Sequence, residues 1–166
     1  IGAKNGILIR RGEAIQTIKN VKFVVFDKTG TITKGKPEVT NISSGVKESY
    51  LLEIAASLEK LSEHPIARAI VEKAKLKRYR EVKKFKILRG RGVSGFVGKN
   101  EIIIGNQTLM KESKISFKEY EKEIDKYESQ GKTTMIVSEK GKVLGVIAVA
   151  DALKEDSVSA IATLNE

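Results

Sequence analysis

Apolar residues recur along this chain with two different periods, and together these predict a mixed α/β fold. Spacings of three and four residues predict helices over residues 14–20, 51–61, 66–74, 107–112, 117–128 and 155–164. Shorter runs rich in Val, Ile and Phe predict strands. The strands are expected over residues 21–26, 39–42, 82–88, 93–97, 101–104, 133–138 and 142–150.

The order of these elements predicts one domain inserted into another. The strand over residues 21–26 is apolar at nearly every position, which is typical of a strand buried on both faces of a parallel sheet. A polar break with a proline follows at Lys34–Pro37, and short glycine-containing turns separate the later strands, as in antiparallel hairpins. We therefore expect an α/β domain of residues 1–37 and 148–166, interrupted by an α+β domain of residues 38–147.

The composition is that of a folded domain. The 166 residues are 40% apolar and 31% charged, and no run reaches the ~20 apolar residues that span a bilayer. The chain has no cysteine and one histidine. It therefore forms no disulfide and has few side chains with which to hold a soft transition metal.

The net charge of +10 is concentrated in a basic stretch from Lys73 to Arg91. A basic rim would favour the approach of an anionic nucleotide, while a solvated, lysine-rich surface explains the stretch somewhat better. Nucleic acid is not expected as a partner, because few stacking aromatic residues lie among these charges.

The strongest chemical signal follows the predicted strand 21–26 and reads Asp27-Lys28-Thr29-Gly30-Thr31-Ile32-Thr33. Ligands of open parallel sheets bind beyond the carboxyl ends of the strands. A carboxylate there, followed by small hydroxyl residues and a glycine, is typical of a nucleophile that forms an aspartyl phosphate. An ordinary turn would use similar residue types, but the full string behind an apolar strand favours the nucleophile.

Thr29 decides which reaction follows. Hydrolases of this general type usually place a second aspartate two residues after the nucleophile, where it acts as acid and base. Threonine cannot do so near neutral pH. The covalent intermediate should therefore last long enough to drive another process.

The string resembles the phosphorylation motif of the P-type ATPases, the ion pumps that pass through a phosphoaspartate. The resemblance runs nearly end to end, through Gly6–Ala14, Ser62-Glu63-His64-Pro65, Gly90-Arg91-Gly92-Val93, Gly105-Asn106 and Asp151-Ala152-Leu153-Lys154. The second of these segments is similar to the marker of the heavy-metal subclass. The resemblance implies an incomplete haloacid-dehalogenase-like parallel-sheet phosphorylation domain, interrupted by a nucleotide-binding domain with an antiparallel sheet.

At the phosphorylation site, the resemblance implies that Asp27 is the phosphorylated nucleophile and a ligand of Mg²⁺. Thr29 would give its backbone carbonyl to the same ion, Thr31 would hydrogen-bond the phosphate, and Lys28 would add positive charge. Phosphoryl transfer depends mainly on positioning and electrostatics. These groups would therefore align ATP for in-line attack.

In the nucleotide domain, the resemblance implies an adenine pocket that contains Glu59 and His64. Taken alone, a single histidine or a helix-surface glutamate is usually structural. In the heavy-metal pumps, the matching carboxylate accepts the adenine amino group and the matching imidazole orients the ring.

Glycines supply the rest of the implied nucleotide site. Gly90 and Gly92 would let the base or ribose approach the backbone without meeting a Cβ atom, although most Gly-x-Gly pairs are simply turns. Val93 would add apolar packing beside the nucleotide.

Two further pairs complete the implied machinery. Gly105 and Asn106 resemble the family's other nucleotide contacts, with the Asn side chain near the ribose or phosphates. The next position, often Arg in related pumps, is Gln107, which leaves one phosphate contact in question. Asp151 and Lys154 resemble the hinge at which the chain returns to the phosphorylation domain.

The chain ends before two further segments of the family, so we expect a soluble fragment that binds ATP and is incomplete for catalysis. Its partners would be the membrane helices and actuator domain of the parent pump, at the cytoplasmic face of the cell membrane. The transported heavy metal would bind outside this chain, and copper is expected because copper pumps are common in the subclass.

Two other function classes remain open. A haloacid-dehalogenase-type phosphatase with a cap domain would share the sheet and the nucleophile, but it would carry Asp in place of Thr29. A nucleotide-binding module without catalysis is the second alternative.

Overall fold

A six-stranded antiparallel sheet organises the part of the chain that the computed structural model describes, which is Leu8 and residues 10–164. The strand order is β1-β6-β5-β4-β3-β2. The strands are β1 (Thr33–Ser44), β2 (Val82–Leu88), β3 (Gly92–Val97), β4 (Asn100–Gly105), β5 (Thr133–Glu139) and β6 (Lys142–Leu153). The helices are α1 (Glu13–Ile18), α2 (Glu48–Glu59), α3 (Pro65–Ala74), α4 (Gln107–Glu112), α5 (Glu121–Ser129) and α6 (Ser157–Leu164).

Both faces of the sheet are covered, because alternate strand residues point to opposite sides. In β5, Val137 packs with α2 and α3, whereas the neighbouring Ile136 packs with α4 and α5. The first core is the larger and includes Leu51, Ile54, Leu58, Ile70, Ile104 and Ile147. The second includes Met110, Ile115, Phe117, Tyr120, Ile124 and Val146.

Most elements of the predicted inserted domain are confirmed. The strand over residues 82–88 and the helix over 107–112 have the predicted bounds. The helix expected over residues 117–128 begins as a 3₁₀ turn at Lys118–Tyr120 and continues as α5. The short helix expected over residues 14–20 is α1, which ends earlier, at Ile18.

The predicted strand over residues 21–26 is wrong. These residues form neither strand nor helix, and Phe23 and Val25 are 88% and 94% exposed. A strand needs a neighbour to accept its backbone hydrogen bonds, and every strand pair described in residues 10–164 is antiparallel and already formed within the sheet. Within the described residues, the apolar run pairs with neither of the edge strands, β1 and β2.

Strands β1 and β6 pair along their length as a two-stranded ribbon at one edge of the sheet. β1 and β6 pair from Thr33 opposite Leu153 to Ser44 opposite Gly145. The polar break at Lys34–Pro37 lies inside β1, so the expected domain boundaries at residues 37 and 148 fall within the ribbon. The division into two domains remains a prediction, and its residues 1–7, 9, 165 and 166 lie outside the described part.

No helix in the described part is both long and apolar enough to cross a bilayer.

Candidate functional site

A cleft of about 230 Å³ opens between the end of α2, the start of α3, the β2–β3 turn and the start of β5. Its walls are mainly apolar and include Ile66, Ala67, Ile87, Leu88, Val93 and Met135. Polar side chains reach it from Glu59, Ser62, His64, Arg89, Arg91, Asn106, Thr133 and Thr134. An apolar cleft with a few convergent polar groups is typical of a small-molecule site.

The cleft brings together most of the predicted nucleotide residues. Glu59, His64, Gly90, Gly92, Val93 and Asn106 all line it. Gly105 does not line it but lies directly behind the turn. Residues distant in sequence therefore meet at one place.

His64 is held by the helix that follows it. It is the N-cap of α3, and its Nδ1 accepts a hydrogen bond from the Ile66 backbone amide at 3.2 Å. Pro65 occupies the first turn, where no amide hydrogen is needed. Because Nδ1 is an acceptor, the neutral ring carries its proton on Nε2. His64 thus offers a fixed N–H donor at the rim of the cleft.

Glu59 ends α2 inside the cleft and is only 3% exposed. Burial raises the pKa of its carboxyl to about 7. Desolvation disfavours the charged form, and here no neighbouring charge offsets it. The neutral and ionised forms of Glu59 are therefore both populated near neutral pH.

The glycines of the β2–β3 turn serve two different purposes. Gly90 has φ +70° and faces open space, so it supplies a left-handed turn and leaves the cleft unobstructed. Gly92 has φ +151°, and a Cβ there would overlap the backbone of Ile104 and Gly105. Gly92 is therefore required first for the close approach of β3 to β4.

Gly105 and Asn106 support the same turn from behind. A Cβ at Gly105 would overlap the Arg91 carbonyl oxygen. Asn106 is the N-cap of α4, where Oδ1 accepts from the Leu109 amide and Nδ2 donates to the Gly90 carbonyl, both at 3.0 Å. The Asn106 amide thus ties the start of α4 to the β2–β3 turn.

Gln107, where related pumps often carry Arg, is tied to another side chain. Its Nε2 donates to Glu128 at 3.2 Å, and the other oxygen of that carboxylate accepts from the buried Thr134 hydroxyl at 2.5 Å. Gln107 lies outside the cleft lining, whereas Thr134 is part of it.

The basic stretch lies mostly away from the cleft. Of the basic residues in the stretch, only Arg89 and Arg91 line it, and Arg91 pairs with Glu112. β2, which carries several of the lysines, is an edge strand of the sheet. Lysines on an edge strand oppose pairing with other chains.

The predicted phosphorylation residues form an exposed loop before β1. Asp27 precedes a distorted π-helical turn over Lys28–Ile32, in which Thr29 is extended and Gly30 has φ +78°. Asp27, Lys28, Thr29 and Thr31 are all exposed. The nucleophile candidate is therefore open to a substrate.

The predicted hinge residues fasten this loop to the ribbon. The Thr33 hydroxyl donates to Asp151 Oδ2 at 2.5 Å and accepts from the Gly30 amide at 3.2 Å. The Lys36 amide donates to Asp151 Oδ1 at 3.0 Å. The Lys154 amide donates to the Ile32 carbonyl at 3.0 Å. Asp151 and Lys154 therefore link the end of β6 to both sides of the loop–strand junction.

Sequence reasoning missed the β5 wall of the cleft and the part played by Thr33. Thr133, Thr134 and Met135 line the cleft from the start of β5. Thr133 is also the last residue of a Gly-Lys-Thr sequence that is typical of a simple turn. Their only sequence signal was the alternation of the strand. Alternation predicts on which face of the sheet a residue lies, but not what binds against that face.

Comparison with known proteins places these sites in a family. A model of the haloacid dehalogenase-like hydrolases matches residues 21–166. The copper-exporting P-type ATPase B of Archaeoglobus fulgidus is 41% identical over 167 residues, an alignment that covers 99% of this chain and 24% of that protein. The chain thus spans about a quarter of the length of this relative.

Solved structures give the same result. A zinc-transporting PIB-type ATPase in the E2.Pi state matches 99% of this chain and 27% of its own, with a TM-score of 0.85 and 36% identity. The catalytic domain of the CPx-ATPase CopB-B matches 98% of this chain and 58% of its own, with a TM-score of 0.69 and 27% identity. The expected fold class and the resemblance to heavy-metal P-type ATPases are confirmed. The chain belongs to the haloacid dehalogenase-like hydrolase family, and the relatives it matches are P-type ATPases.

Proposed function

We propose that this chain is the ATP-binding and autophosphorylation region of a heavy-metal-transporting P-type ATPase, with copper as the transported ion. The cleft carries the proposal, because it assembles an apolar slot, a fixed histidine donor, a buried carboxyl and an open glycine turn in one place. The name of the copper-exporting relative supports both the pump and copper, and the name of the zinc-transporting neighbour supports the pump alone.

In this proposal, adenine enters the apolar slot beside Glu59 and His64. Gly90 leaves room for the ribose, and Asn106 keeps the turn in shape. Arg89 and Arg91 at the rim attract the phosphates. The base is thus bound by packing and by a few hydrogen bonds, and the triphosphate extends outward.

Phosphoryl transfer is assigned to Asp27. A carboxylate oxygen of Asp27 attacks the γ-phosphorus in line, the bond to the β-phosphate oxygen breaks, and ADP leaves. Lys28 adds positive charge and Thr31 donates a hydrogen bond to the phosphate. Thr29 cannot act as a general acid or base, so the aspartyl phosphate persists.

Oxygen groups of this loop suit a hard divalent cation. The exposed Asp27 carboxylate and the Thr29 carbonyl are the ligand types that Mg²⁺ prefers, and they would hold it. When bound, the ion would neutralise phosphate charge. The contribution of the chain itself is to keep the loop in place through Thr33, Asp151 and Lys154.

The remaining partners lie outside this chain. The rest of the parent pump would act in cis, with membrane helices that bind the transported metal and with this region at the cytoplasmic face of the membrane. Asp151 and Lys154 would form the hinge through which domain closure brings the γ-phosphate to Asp27.

Two measurements test the proposal. ATP should bind to the wild-type chain and to Asp27→Asn, and binding should weaken at least about tenfold in His64→Gln with the fold unchanged by circular dichroism. Because this chain is expected to be incomplete for catalysis, the second measurement uses the parent pump, in which incubation with γ-labelled ATP should give an acid-stable label that Asp27→Asn lacks.

The other function classes predict different results. A phosphatase would release phosphate without accumulating the label. A chain that binds ATP but never becomes labelled would be a nucleotide-binding module. Unchanged ATP affinity in His64→Gln would remove His64 from the adenine pocket.

A further inference from the structure

Among the described residues, Glu59 is the least exposed acidic residue, at 3%. It lies in the apolar cleft, and no hydrogen bond or charge among these residues offsets the loss of its hydration. Burying an uncompensated carboxylate costs a great deal of free energy. A structural glutamate would normally have a partner, so this one is placed to meet a group that comes from outside.

Among the described residues, no cation on the elements around Glu59 lowers the pKa of its carboxyl. α3 contributes His64, whose Nδ1 is already an acceptor for the helix cap. The β2–β3 turn contributes Arg89 and Arg91, and Arg91 pairs with Glu112 instead. β3 and β5 contribute only uncharged residues to the lining.

The protonation state of this carboxyl decides which base it can recognise. An ionised carboxylate has only acceptors, whereas a neutral carboxylic acid has one donor and one acceptor. The edge of adenine presents an amino donor beside a ring-nitrogen acceptor, which matches the neutral acid. The guanine edge, with two adjacent N–H donors, matches the ionised form.

We propose that Glu59 receives the base as a neutral carboxylic acid, donating one hydrogen bond to a ring nitrogen of adenine and accepting one from its amino group. Glu59 is then the residue that determines specificity for adenine in the cleft. This inference rests on the proposed nucleotide site. It adds that the Glu59 carboxyl must carry a proton when adenine binds. The raised pKa of Glu59 makes the neutral form accessible near neutral pH.

Adenosine is the probe for the test, because it lacks phosphates that would titrate in the same pH range. Its affinity for the wild-type chain is measured by calorimetry between pH 5.5 and 8.5. We expect constant affinity at the acidic end and a loss approaching about tenfold per pH unit above neutrality, as for a site that must hold one proton.

Glu59→Gln is the decisive variant, because its amide keeps one donor and one acceptor at every pH. It should bind adenosine as well as the acidic wild type does, and its affinity should not change with pH. Glu59→Leu, which has neither group, should bind at least about tenfold more weakly throughout. The preference for adenosine over guanosine should fall with rising pH in the wild type and stay constant in Glu59→Gln.

Glu59→Gln keeps His64 and its contact with the α3 cap unchanged, so the comparison with this variant isolates the effect of the Glu59 carboxyl. Circular dichroism and unfolding curves of each variant confirm that the fold is retained.

The outcomes separate the two proposals. Wild-type adenosine affinity that does not vary with pH, or a loss of tenfold or more in Glu59→Gln, overturns the neutral-acid inference and leaves the nucleotide site standing. Absence of adenosine and ATP binding at every pH overturns both.

Discussion

Residues 33–153 contain the proposed nucleotide cleft and are called the nucleotide region. The flanking residues 21–32 and 154–164 contain the proposed phosphorylation site and are called the phosphorylation segment. The two contain similar apolar residues but bury them very differently. In the nucleotide region, Ile54, Leu58 and Ile70 are fully buried between α2, α3 and the sheet. In the phosphorylation segment, Val25 is 94% exposed, and Val158 of α6 is 66% exposed. The hydrophobic effect acts only when a complementary surface is present, and the sheet and helices of residues 33–153 supply that surface for the first region alone.

This difference in burial also distinguishes the cleft from the Asp27 loop. The cleft is built on packed elements, so its side chains have fixed partners and positions. The Asp27 loop is exposed and is held mainly through Thr33 and Asp151. We therefore expect nucleotide binding to be the more robust property of this chain, and phosphoryl transfer to depend more on its surroundings.

The largest expected effect tests the burial contrast directly. Ile54→Ala should lower the free energy of unfolding by about 2–5 kcal/mol, through lost apolar burial and a cavity. Val25→Ala removes methyl groups from an exposed side chain and should cost less than about 0.5 kcal/mol. Urea unfolding followed by circular dichroism measures both. Equal losses would show that the phosphorylation segment is buried in solution.

A second prediction concerns the raised pKa of Glu59. Between the ordinary value of 4.5 and about 7, the folded chain binds more protons at Glu59 than the unfolded chain. The contribution of Glu59 to stability therefore falls as pH rises through this window, and the loss is complete above it. Glu59→Gln should exceed the wild type in stability by roughly 2–3 kcal/mol at pH 8 and by less than about 1 kcal/mol at pH 5. A stability difference that does not change with pH would contradict the shift.

The smallest effect is expected at the junction of the two regions. Thr33→Val removes the donor to Asp151 and the acceptor for the Gly30 amide, at a cost of about 1–2 kcal/mol. It should also raise the hydrogen-exchange rate of Gly30, while nucleotide affinity stays unchanged. Thr40→Val, on the exposed side of the same strand, is the matched control. Unchanged exchange at Gly30 would show that the loop is held by other contacts.

Several positions that the motifs single out for the nucleotide also have structural roles. Gly92 allows β3 to approach β4 closely, and Gly105 allows close approach of the Arg91 carbonyl. Asn106 lines the cleft, and its amide links the start of α4 to the Gly90 turn. Motif reasoning marks such positions without distinguishing direct contact from support.

The sequence by itself determined the elements of the nucleotide region and the position of the Asp27 motif. Local periodicity and turn residues specify helices and strands within a few positions, which is why β2 and α4 were predicted with their observed bounds. Only the tertiary structure decided the conformation of residues 21–26, the β5 wall of the cleft and the burial that raises the pKa of Glu59. Each of these depends on groups distant in the chain: a neighbouring strand, an opposing wall, or a low-dielectric surrounding that no local pattern records.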